Sequence, residues 1–207
     1  MSFDCRGDKN KESIVQDYFL TPLMYTTLLE GREKLGCCGK LEREYYVFRA
    51  KHKKENTEFC FFVGKHCAEK FLLLIKHPKL ELFNLFTSET NNEGMNNSPN
   101  NESNILIRDI DPINKELIDA IYILNASWNR LPALLDNIIE YTHKKESLIN
   151  VKGVKWLNEK LMYDKQNRTM TEIYLNLKKE NKRIRTFSFK KLKAYFSDNF
   201  PNEINRF

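Results

Sequence analysis

The stretch LGCCGKLEREYYVFRAKHKKENTEFCFFVGKHCAEKFLLLI, from Leu35 to Ile75, holds four of the chain's five cysteines and two of its four histidines. Glycines flank the adjacent Cys37 and Cys38, and the charged connector KHKKENT separates two runs, EYYVFRA and EFCFFVG, that are rich in aromatic and β-branched residues. That pattern predicts a β-hairpin entered through a tight turn. Gly64 and Lys65 form a second turn, after which His66 and Cys67 stand at the mouth of a predicted helix. A chain that gathers so many soft ligands around one hairpin either builds a metal site or uses cysteine as a small apolar core residue.

A structural zinc ion takes four ligands in a tetrahedron, commonly two from a turn and two from elsewhere. The order of turn, hairpin and helix resembles the treble-clef family of small zinc-binding modules, of the kind seen in phage and plasmid proteins. The segment VGKHCAEKFL is similar to its closing element, and the resemblance covers residues 35–75 alone. It implies zinc as cofactor, on a set drawn from Cys37, Cys38, Cys60, His66 and Cys67, with His52 in reserve. The family turn spaces its cysteines by two residues, whereas Cys37 and Cys38 are adjacent. Cys60 on the second strand is then the substitute thiolate. On the competing reading Cys60 faces the core of FCFFV and no metal is held. A third reading makes Cys67 a nucleophile activated by the helix N-terminus, with no further triad partner in view.

The start MSFDCRGDKNKES has no apolar core of a signal peptide, and no run of eighteen apolar residues occurs, so the expected location is cytoplasmic. Thiols stay reduced there, which favours ligands or core residues over disulfides. The net charge of +6 is uneven: Met1–Asn150 carries 20 Lys+Arg against 22 Asp+Glu, and Val151–Phe207 carries 14 against 6. A basic end of this kind points to an anionic partner, most often nucleic acid.

Thr87–Asn104, TSETNNEGMNNSPNNESN, has seven Asn and only Met95 as an apolar residue, so it predicts a flexible linker. The expected organisation is α+β. An N-terminal module over residues 1–86 carries the Cys/His cluster, the linker spans 87–104, and a helical domain with a basic end covers 105–207. Ile14–Gly31 predicts one or two short helices broken at Pro22, and ILIRDI a short strand. Asp111 and Pro112 open a helix through Leu124, and another follows Pro132. Val154, Leu157 and Leu161 fall at helical spacing, and Thr169 with Glu172 forms a capping box. Ser188 is placed to cap a last helix that turns Phe189, Leu192 and Phe196 inward.

Walker A, GxGxxG, HExxH and GxSxG motifs are all lacking in the sequence. Asp109 and Asp111 read as helix-start residues, and Arg6-Gly7-Asp8 as a chance match. The expected function is therefore that of a non-enzymatic nucleic-acid-binding protein with structural zinc, of the kind carried by mobile elements. Lys182, Arg183, Arg185, Lys190, Lys191 and Lys193 are its candidate phosphate contacts, either in a helix-turn-helix or beside Phe187 and Tyr195 as rings for single-stranded bases. The alternative is a protein-interaction or inhibitor protein that meets an acidic protein partner.

Overall fold

Aromatic and β-branched residues concentrate in three runs before Gly64, and in the computed structural model all three are strands of one sheet. The structure describes residues 3–86, 110–128, 138–139, 142 and 147–207. In chain order the first part gives α1 (Asp8–Asp17), β1 (Tyr18–Thr27), β2 (Leu35–Gly36), β3 (Gly39–Lys40), β4 (Glu44–His52), β5 (Glu58–Gly64) and α2 (Lys65–Leu74). The second part gives α3 (Pro112–Trp128), α4 (Val151–Leu161), α5 (Met170–Glu180) and α6 (Lys190–Asn199). The architecture is α+β. The predicted linker and all of ILIRDI but Ile110 lie outside the described residues, and of the helix expected after Pro132 only Ile138, Ile139 and Thr142 are described, each helical.

The strands run antiparallel in the order β1-β4-β5, with a separate two-stranded ribbon of β2 and β3. Strand β1 corrects the helices expected over Ile14–Gly31, of which only the residues to Asp17 are helical. Its Tyr, Phe and Thr residues favour a pleated surface. Pro22, which has no N–H to donate, sits at an irregularity between Pro22 and Met24 on an edge strand, where its missing hydrogen bond disrupts least.

Side chains of the central strand β4 alternate between two cores, as the period of two requires. Tyr46, Phe48 and Ala50 enter one, closed by Ile14 of α1 and by Ala68, Phe71 and Leu72 of α2. Tyr45 and Val47 enter the other, whose remaining wall includes Leu117 and Ile121 of α3, Leu157 of α4, Ile173 of α5 and Phe196 of α6. Residues before 87 and after 109 thus share this second core across one face of the sheet. The segment after α2 stitches them further: Thr26 bridges Phe83, Phe86 bridges Ile184, and the Arg185 amide donates to the Leu85 carbonyl at 2.9 Å.

The helix caps show where the second part is fixed. Asp111 accepts from the Ile113 amide at 2.7 Å at the start of α3, and the Thr169–Glu172 capping box opens α5. Helix α6 departs from expectation. Phe189 occupies its cap position without a side-chain cap bond; Ser188, one residue earlier, still accepts from the Lys190 amide at 3.4 Å, and Glu116 of α3 accepts from the Leu192 amide at 2.9 Å. A carboxylate from another helix answers the unpaired amides of the first turn and complements its partial positive charge.

Candidate metal centre and basic surface

Cys37 and Cys38 form the tip of the β2–β3 ribbon, and two backbone features hold that tip in place. The Cys37 amide donates to the Phe62 carbonyl of β5 at 2.9 Å. At Gly36 a Cβ atom would come within 2.6 Å of a Leu41 methyl and 3.0 Å of the Phe62 carbonyl oxygen, so the ribbon approaches β5 only because this residue is glycine. Helix α2 starts directly after β5 and carries Cys67 in its first turn, beside the tip. A third segment enters from the N-terminal end. Phe3 packs against Tyr18, Phe59 and Phe61 with ring centres 4.9–5.0 Å away, and Cys5 behind it is fully buried.

Two segments distant in sequence thus bring three thiols together, and a third segment sets Cys67 against one of them. The sulfur atoms of Cys5, Cys37 and Cys38 all lie within 4.8 Å of one another and could hold a metal ion. Cys38 Sγ is 3.6 Å from Cys37 Sγ and 3.4 Å from Cys67 Sγ. Zinc–sulfur bonds of about 2.3 Å in a tetrahedron set the sulfurs about 3.8 Å apart, so these separations are close to those of a thiolate centre. The Arg6 guanidinium donates to the Cys38 carbonyl at 3.5 Å and ties the N-terminal segment to the tip.

Three thiols of the cluster are shifted toward their protonated form. Cys37 is shifted upward by its hydrogen bond to Cys5 and by burial, Cys38 by burial, and Cys67 by burial to about 11. Hydrogen bonds from Cys38 to Cys37 and from Cys67 to Cys38 oppose this, and so does the one influence common to all three, the charge of the buried Lys11, which favours their thiolate forms. Its ammonium donates to the Gly7 carbonyl at 3.2 Å and lies 3.9 Å from an Asp8 carboxylate oxygen. Metal binding here means proton release from the thiols, with a lysine and the N-terminus of α2 offsetting the negative charge that results.

The other candidate ligands are elsewhere. Cys60 of β5 pairs with Arg49 of β4 and packs against the core shared with the C-terminal helices, whereas Cys37, Cys38 and Cys67 pack against the core on the opposite face of the sheet. Alternation along β5 decides this, since Cys60 falls on the Phe62 face. His66 is exposed on α2. His52, at the far end of β4, accepts from the Lys54 and Glu55 amides at 3.3 and 2.9 Å and so closes the hairpin turn.

Residues 3–203 match the family described as Uncharacterised conserved protein UCP028583. The chain belongs to that family. Neither a curated protein nor a solved structure matches it.

In this family member the basic end divides into surface and structural cations. Lys182, Lys190, Lys191 and Lys193 are exposed. Arg183 is exposed too, its guanidinium 6.0 Å from the Phe86 ring centre. Arg185 is built into the fold: it pairs with Asp119 at 3.6 Å and lies 4.9 Å from the Phe83 and 4.4 Å from the Phe187 ring centres. The connection from α5 to α6 runs past Leu85 and Phe86 over residues 181–189, so the two helices do not meet through the tight turn of a helix-turn-helix. Phe187, one of the two rings offered to bases, is 7% exposed and stacks on Phe83; Tyr195 is half-buried.

Cys5 is the member of the thiol cluster that sequence reasoning missed. It stands far upstream in a polar segment, outside any metal-ligand spacing, and the only local signal is its nearness to the apolar Phe3. Among the described residues, no helix is long and apolar enough to cross a membrane.

Proposed function

We propose that this protein binds nucleic acid without catalysing a reaction, and that a structural zinc ion on Cys5, Cys37, Cys38 and Cys67 fixes its N-terminal part. Thiolates are the donors zinc prefers, and four protein ligands leave no open position for a substrate, which suits a structural ion rather than a catalytic one. The knuckle, hairpin and helix order that resembles a treble clef is the frame of that site.

The observation that carries the nucleic-acid reading is how the acids of the last 57 residues are used. Asp164 binds Arg168, Glu172 caps α5, Glu180 pairs with Arg32, and Glu203 pairs with Lys155. Four of the six acids of this stretch are thus engaged within the fold, while Lys182, Lys190, Lys191 and Lys193 project from the segment before α6 and from α6, which carries one exposed acid, Asp198. A strip in which cations so outnumber acids attracts a polyanion and releases its counterions on contact.

Fluorescence anisotropy with labelled DNA and RNA over a salt series tests the proposal. Binding at low salt that weakens steeply as salt rises supports it. Absence of binding to either nucleic acid at low salt overturns it and leaves an acidic protein as the partner of this strip.

A further inference from the structure

Helix α4 turns Gly153, Val154, Leu157, Asn158 and Leu161 into the core, and its opposite face is unlike the lysine strip of α6. On that outer face Lys152 is exposed, Trp156, Glu159 and Lys160 are half-buried, and Tyr163 follows at the helix end, 78% exposed. The ammonium of Lys160 lies 5.1 Å from the Trp156 ring centre and 5.7 Å from that of Tyr163, within cation–π range of both. Two large aromatic rings therefore flank a lysine on one helix face, with Lys152 and Lys165 exposed at either end. Lys155, beside this group, is turned away from it by its 2.7 Å pair with Glu203.

Tyr163 makes no use of its ring in the core and presents it to solvent, beside Trp156, whose half-buried ring packs in part against the core and leaves the remainder at the surface. Unpaired bases stack on such faces with little regard to sequence, and lysines alongside track the phosphates. A duplex keeps its bases stacked on one another and offers these rings nothing but its backbone. We infer that the outer face of α4 is a stacking platform for the bases of single-stranded nucleic acid, with Trp156 and Tyr163 as the rings and Lys152, Lys160 and Lys165 toward the phosphates. The inference rests on the nucleic-acid reading and deepens it. It also supplies the stacking rings that buried Phe187 does not provide.

The test compares oligo(dT) with a duplex, using the full chain and its Trp156→Ala/Tyr163→Ala variant. The wild type is expected to bind oligo(dT) more tightly than duplex, with tryptophan fluorescence quenched on binding. The double variant should bind oligo(dT) about tenfold more weakly or worse, as loss of base–aromatic stacking requires, with duplex binding unchanged. Trp156→Phe/Tyr163→Phe should retain most of the affinity while the quenching falls. Tyr163→Ala alone removes only an exposed ring and keeps the test valid if the double variant is unstable; it should weaken oligo(dT) binding severalfold. Wild-type binding that favours duplex, or full oligo(dT) affinity in folded Tyr163→Ala and the double variant, overturns the platform while leaving the basic strip standing. No binding to either probe at low salt overturns both.

Discussion

The sulfur of Cys38 lies 3.4 Å from that of Cys67, although 29 residues and the whole β4–β5 hairpin separate them in the chain. The hairpin returns the chain to its starting end, so the turn before it and the helix after it meet. Cys5, brought in by the segment that precedes α1, joins Cys37 and Cys38 on the other side of this contact.

The purified protein is therefore expected to carry about one zinc per chain by native mass spectrometry. Cys5→Ser, Cys38→Ser and Cys67→Ser should each lower metal content and melting temperature, because a structural site contributes its binding energy to folding. Cys60→Ser should leave metal content unchanged, since Cys60 faces the other core. Full metal in Cys5→Ser together with loss in Cys60→Ser would restore the strand-based ligand set. Acidification should release the ion, because Cys37, Cys38 and Cys67, each shifted upward, recapture their protons.

The basic end gives a second prediction, built on the difference between strip and interior. Replacing Lys182, Lys190, Lys191 and Lys193 with Gln should weaken nucleic-acid binding and flatten its salt dependence, with little change in thermal stability. Arg185→Gln should do the reverse. It leaves Asp119, already pushed up to about 6 by burial despite the neighbouring guanidinium, without its partner. A stability loss of about 2 kcal/mol in urea unfolding, with an unchanged salt slope, is the expected result. Equal effects of both variants on binding would place Arg185 at the interface after all.

Much of the fold was legible because it is written in local patterns. The hairpin, the caps at Asp111 and Thr169, and the inward faces of α4 and α6 follow from alternation, capping chemistry and helical spacing. Tyr18–Thr27 was misread because Pro22 looks like a helix breaker, while its tolerance at an edge-strand irregularity depends on pairing with β4, a non-local fact. The metal cluster was half legible for the same reason. Cys37, Cys38 and Cys67 belong to one local motif, and the side chosen by Cys60 follows from strand register. Cys5 arrives through the packing of Phe3 and α1, which no spacing rule records.

Lys34 offers a prediction about stability. It is 5% exposed, its ammonium has no hydrogen-bond partner among the described residues, and it sits 3.9 Å from the Phe62 and 5.0 Å from the Tyr45 ring centres. Burial pushes it down to about 8. Between pH 8 and the unfolded value near 10.5 the unfolded chain binds more protons, so this group makes the fold more stable as pH rises through that window, and its cost is fully present below it. That cost is roughly 3 kcal/mol from the shift, offset by about 1–2 kcal/mol of cation–π attraction. Lys34→Met should therefore stabilise the protein by about 1–2 kcal/mol at neutral pH, with the gain shrinking above pH 10. A destabilised variant at pH 7 in denaturant melts would show that the ring contacts outweigh the burial.

Asp164 makes the opposite case, that of a buried charge fully answered. Its carboxylate is held well below the usual range, chiefly by hydrogen bonds from the Arg168 guanidinium, which reach its two oxygens at 3.0 and 2.8 Å. Trp128 Nε1 donates to one oxygen at 3.0 Å, and the Gln166 and Arg168 amides donate to the other at 3.2 and 3.1 Å. The residue thus ties the end of α3 to the turn between α4 and α5, and its side chain is only 2% exposed. Asp164→Asn keeps the shape but replaces one of the two acceptor oxygens with an NH2 that faces donors, and it leaves the Arg168 charge unanswered. A loss of about 3–5 kcal/mol is expected, as for other broken buried pairs. Because the folded value lies below the unfolded one, this stability is present above about pH 4 and disappears as pH falls through the folded value. Urea unfolding of wild type and variant across pH 2 to 7 should therefore show curves that converge at the acid end. Parallel curves would mean that the carboxylate's charge does not stabilise the fold and that the loss comes from geometry alone.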